Sequence, residues 1–99
     1  MKKEIGTKVF PLEITEYERG WGSRPDGHLF FLSEEDREWF LMYDREEKAQ
    51  TGNDVPDWYL AYEPASQFSL TKTLSEKISF TERVFKVGNT ERTMLVAAT

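Results

Sequence analysis

The chain has no cysteine, and only one of its 99 residues is histidine. Without cysteine there can be no disulfide, thiolate metal site or cysteine nucleophile. A reducing, intracellular setting fits that absence. A single histidine with no cysteine beside it does not suggest a zinc site. Long apolar runs are missing as well, and none approaches the roughly 18 residues that a membrane span requires. Met1-Lys2-Lys3 is basic, but no apolar stretch follows it, so it does not read as a secretory signal. Bases are in the minority, 13 against 18 acids. Binding phosphate across the surface needs the opposite balance, so direct contact with nucleic acid is not expected. No catalytic, phosphate-loop or metal motif stands out, and no cofactor is expected. The expectation is a cytoplasmic, non-enzymatic protein with one domain over residues 1–99.

What the chain does have is aromatic side chains: seven Phe, four Tyr and three Trp. Each can bury on the order of 150–250 Å². That is enough for a core in a chain of this length.

Charge is the second positive feature. Glu34, Glu35, Asp36, Glu38, Asp44, Glu46 and Glu47 crowd one segment that holds only Arg37 and Arg45 as bases. Acids and bases balance elsewhere, so this segment carries the whole net charge of −5. A basic protein surface is the partner such a segment matches.

The pattern of apolar residues predicts the elements. In Val9–Tyr17, Phe10, Leu12 and Ile14 fall on one face and Glu13 and Thr15 on the other, as in a strand. Pro11 lacks an amide donor and argues for an edge position or an irregularity. His28–Leu32 is a second strand, joined to the first by a Gly20–Gly27 loop. Ser33 is a helix N-cap with Asp36 at the box position. Glu34, Glu35 and Asp36 oppose the positive end of the helix dipole. The helix is expected from Glu34 to about Gln50, stopping near Gly52-Asn53. Its Trp39–Tyr43 run is apolar at five successive positions, which circle the whole helix. One side must meet a sheet, and the other must be covered or face a partner.

Val55-Pro56-Asp57 reads as a turn leading into a short aromatic strand through Pro64. Gln67–Thr71 suggests another strand. Lys72–Ser79 is ambiguous between helix and strand. Arg83–Val87 and Arg92–Ala97 form a hairpin about Gly88-Asn89. The expected fold is α+β, a mainly antiparallel sheet with one long acidic helix packed on a face.

Three segments are candidates for contact. Glu18–His28 holds three glycines, a proline, Arg19, Trp21, Arg24 and the lone His28. Arg and Trp are the types most enriched at binding hot spots. The alternative is a purely structural segment, with a Pro25-Asp26-Gly27 turn and Trp21 capping the core. Arg19 and Arg24 could also hold a phosphate, which makes a nucleotide or other small molecule the rival ligand. Catalysis by His28 would require Ser23 and Asp26 to crowd one turn with it, and is not expected. The second segment is the acidic helix, where Glu34, Glu35, Glu38 and Glu46 would meet a basic partner. Its bland reading is a solvated face, in which only Asp44 and Lys48 pair at i,i+4 in the favourable order. It could also mimic the charge of DNA. The third is Trp58, Tyr59 and Tyr62, interface material if they face out.

Arg19-Gly20-Trp21-Gly22-Ser23-Arg24-Pro25-Asp26-Gly27, followed by an acidic helix and by Val55-Pro56-Asp57-Trp58-Tyr59, resembles a group of small phage- and prophage-encoded proteins. These carry a similar Arg-Gly-Trp-Gly-x-Arg-Pro-Asp-Gly turn and a Val-Pro-Asp-x-Tyr segment. The resemblance covers roughly residues 9–63. It implies a viral accessory role in a bacterial cytoplasm, such as binding and disabling a host enzyme or defence complex.

Overall fold

The structure, a computed structural model, describes residues 4–50 and 57–99. Among the described residues, six strands and two helices follow one another. They are β1 (Lys8–Glu18), β2 (Gly22–Phe31), α1 (Glu34–Ala49), β3 (Trp58–Pro64), β4 (Phe68–Ser69), α2 (Lys72–Lys77), β5 (Thr81–Val87) and β6 (Thr90–Ala98). All pairings are antiparallel, in the order β3-β1-β2-β6-β5, and β4 also pairs with the start of β1. The architecture is α+β as expected.

Successive side chains of a strand point to opposite faces, and both faces of this sheet are used. Leu12, Phe31, Phe85, Met94 and Val96 are buried with Phe40 under α1. Val9, Phe30 and Ala97 are buried on the other side, with Leu70 and Ile78 flanking α2. The apolar run of α1 resolves accordingly. Phe40 is buried, Trp39, Leu41 and Tyr43 pack around it, and only Met42 turns out to solvent.

Ser33 is extended, and its hydroxyl accepts the Asp36 amide at 3.1 Å. The described helix ends at Ala49 with Gln50 as its cap. Gly52-Asn53 and Val55-Pro56 lie outside the described residues. Three contacts fasten α1 along the β5–β6 hairpin. Arg92 Nε donates to Asp36 at 2.8 Å, Trp39 Nε1 donates to the Phe85 carbonyl at 2.9 Å, and the Gly88 amide donates to the Glu46 carboxylate at 2.9 Å.

The register bears on two sequence expectations about proline, correcting part of one and the whole of the other. Of the two alternatives at Pro11, the edge strand is excluded, because β1 is paired on both sides, and the irregularity is present. Its missing donor faces the side where β3 gives way to β4, and there its carbonyl still accepts from Ala65. Arg37 Nη1 fills the same hand-over, donating to Ala65 O at 2.8 Å and to Pro11 O at 3.2 Å. Arg37→Lys keeps the charge and loses the guanidinium geometry, so it should cost about 1–2 kcal/mol. The midpoint of urea denaturation measures this; an unchanged midpoint would remove Arg37 from the crossover's support.

The second correction concerns Gly20–Gly27, which is mostly strand. The pairing continues to Glu18↔Gly22, leaving only Arg19-Gly20-Trp21 as the turn, with the Trp21 amide donating to Glu18 O. Pro25-Asp26-Gly27 is therefore not a β-turn. Thr15 pairs with Pro25 and Glu13 with His28, so Asp26 and Gly27 together oppose Ile14 as a β-bulge. Gly27 takes a φ of +97°, open to glycine and strained for other residues. Lys72–Lys77 is a short helix, and the strand expected at Gln67–Thr71 shrinks to Phe68–Ser69.

Candidate interaction surface at the sheet tip

Burial falls steeply along the β1–β2 hairpin toward its turn. Phe30 and Phe31 are buried, whereas Gly22 through Asp26 are exposed. The register brings β3 to the same end, setting Tyr59 opposite Tyr17 and Trp58 opposite Glu18. Tyr17 and Tyr59 stack with ring centroids 5.1 Å apart. Trp21, in the turn, is 86% exposed and Trp58 is 50% exposed. Trp21 therefore does not cap the core. Four aromatic side chains share one open end of the sheet.

Charge is ordered around them. Glu16 is buried although it sits next to this exposed end, and Arg24 answers it across the strand pair. Arg24 donates from Nη2 at 2.6 Å and from Nε at 2.9 Å to one carboxylate oxygen. That hydrogen bond, more than the charge alone, raises the already high guanidinium pKa. Arg19 lies 3.7 Å from Asp57, both exposed. The Arg19 amide also closes the sheet on Asp57 O at 2.8 Å. A hollow of about 390 Å³ opens on one side, bordered by Tyr17, Arg19, Asp57 and Tyr59. A smaller one of about 200 Å³, bordered by Glu16, Trp21 and Arg24, opens on the other.

Arg19, Trp21 and Arg24 are thus brought together, and Tyr17, Trp58 and Tyr59 join them from elsewhere in the chain. His28 does not. Its ring stacks on Phe30 at 5.8 Å, and its backbone N–H donates to Thr99 Oγ1.

The acids of α1 stand apart and divide into two groups. Glu35 lies 3.9 Å from Arg92, which Asp36 also holds, and Glu46 binds the Gly88 amide. Asp44 and Lys48 pair at 2.7 Å as their spacing predicts. Glu34, Glu38 and Glu47 are exposed and make no ion pair among the described residues. Glu16 is a site residue that the sequence reading did not single out, although an acid alternating with Ile14 on the apolar face is a signal for it.

No protein-family model matches the chain, and no curated protein or solved structure matches it.

Proposed function

We propose that this chain is a non-enzymatic accessory protein of phage or prophage origin that binds a host or viral protein, with the sheet tip as its main contact. The observation that carries this reading is the convergence of Trp21, Trp58, Tyr17 and Tyr59 at one exposed end, flanked by Arg19 and Arg24. Large aromatic and Arg side chains gathered on an open surface have the make-up of a binding hot spot. Glu34 and Glu38 on α1 favour a basic partner. The nucleotide reading is weaker, because Arg24 and Arg19 each already face a carboxylate, and Glu18 adds another at the same end. A phosphate brought there would meet like charge.

The test is affinity capture from bacterial lysate with four forms of the protein. These are the parent chain, Trp21→Ala, Trp58→Ala and a Glu34→Lys/Glu38→Lys double variant. Each tip variant should remain folded and lose about 30-fold in affinity for the captured protein. The double variant should chiefly slow association. Undiminished capture by both tip variants would overturn the assignment of the tip.

A further inference from the structure

The two edges of the sheet are built differently. β5 carries Glu82, Arg83 and Lys86 within seven residues, and α1 is fastened along it. Charges of that kind discourage an edge from pairing with another chain. β3 carries no charge from Trp58 through Tyr62.

The register fixes which of its backbone groups are free. In antiparallel pairs, alternate residues exchange both hydrogen bonds with one neighbour and turn the rest outward. Arg19 bonds to Asp57, and Ala65 to Pro11, so the odd-numbered residues of β3 face β1. Trp58, Leu60 and Tyr62 therefore direct N–H and C=O away from the sheet. No described residue bonds to them. Pro64 is next in the outward row and, having no N–H, ends the line of donors.

We infer that the outer edge of β3 accepts an extended partner segment as an added strand, one with uncharged residues in its middle and Lys or Arg at its ends. This rests on the protein-binding reading above and specifies how binding is made. The charge preference follows from the ends of β3. Glu63 is directly opposite Glu13 of β1, and both are exposed. Like charges facing one another across strands are unfavourable, and a cation arriving beside Glu63 relieves them. Asp57 marks the other end of the uncharged stretch.

The same charges argue against a second copy as the occupant. Symmetric pairing centred on Leu60 would set Asp57 of each copy against Glu63 of the other.

Amide hydrogen exchange followed by NMR on the full chain tests this. Free, the Trp58, Leu60 and Tyr62 amides should exchange fast, and those of Tyr59, Ala61 and Glu63 slowly. A synthetic peptide of alternating valine and threonine with lysines at both ends should slow the three outward amides about tenfold. The same peptide with glutamates at its ends should not, and neither should a lysine-ended peptide N-methylated at alternate residues. Leu60→Pro removes an outward donor without touching the bonds to β1, so it should abolish the protection while Tyr59 and Ala61 stay slow.

The inference fails if the lysine-ended peptide leaves all three amides unprotected, or if the acidic peptide protects them equally. Protection that rises with protein concentration alone would replace the proposed partner with a second copy. Lysate capture that survives Leu60→Pro but not Trp21→Ala would remove the edge and keep the tip. The reverse pattern would remove the tip and keep the edge.

Discussion

Replacing Phe40 with alanine should lower stability by about 3–5 kcal/mol, the usual range for emptying a buried aromatic site. Phe40 is 6% exposed. Its ring lies 5.0 Å from Tyr62, 5.3 Å from Phe85, 5.5 Å from Phe31 and 5.9 Å from Tyr43. Those partners sit on both edge strands, on β2 and on α1 itself, so one side chain ties the helix to nearly the whole width of the sheet. The edge-to-face contacts with Tyr62 and Phe85 add to the area it buries. Urea denaturation followed by far-ultraviolet circular dichroism should show a lower midpoint with an unchanged slope. A loss below about 1 kcal/mol would mean that the helix is held by its polar fastenings to the sheet rather than by this ring.

Gly27→Ala should cost about 2–4 kcal/mol, from two separable causes. A φ of +97° strains any residue with a Cβ. That Cβ would also fall inside contact distance of the Thr99 carbonyl oxygen. Thr99 cannot step aside freely, because its amide donates to His28 O at 3.1 Å and its hydroxyl accepts from the His28 amide. Deleting Thr99 separates the two causes. In the parent chain the deletion loses these hydrogen bonds and destabilises. In the Gly27→Ala background it also removes the clash, so it should cost less or become favourable. Additive effects across this double-mutant cycle would leave backbone strain as the whole cost.

Gly27 also shows where the sequence was legible and where it was not. The signals of α1 are local: Ser33, three acids behind it, then an aromatic run, and the helix forms where they place it. The Gly- and Pro-rich stretch before it looked like a loop, because Gly and Pro usually punctuate. Here each has a position that tolerates it within the ladder. Gly20 makes the turn and Gly27 the bulge. Pro25 turns its nitrogen to the side of β2 where β6, which pairs only from Leu29 on, has not begun.

Long-range partners were the other blind spot. Spacing shows only i,i+4 neighbours, so on the sequence alone most acids of the helix have no base. Asp36 finds its base in Arg92, 56 residues on. The candidate site was half visible for the same reason. Arg19, Trp21 and Arg24 are neighbours in sequence. Trp58 and Tyr59 reach them only through the β1–β3 register, which no local pattern fixes.

The placement of the three indoles has a practical side. Trp39 is held against the β5 backbone by its hydrogen bond to Phe85, whereas Trp21 and Trp58 stand in water at the tip. The chain thus carries its own fluorophores in two unlike settings. Emission from Trp39 reports separation of helix and sheet. Emission from the other two reports arrival of a partner, and a phenylalanine at either tip position isolates the rest. Folding and recognition can be followed in one cuvette, without a label on either molecule.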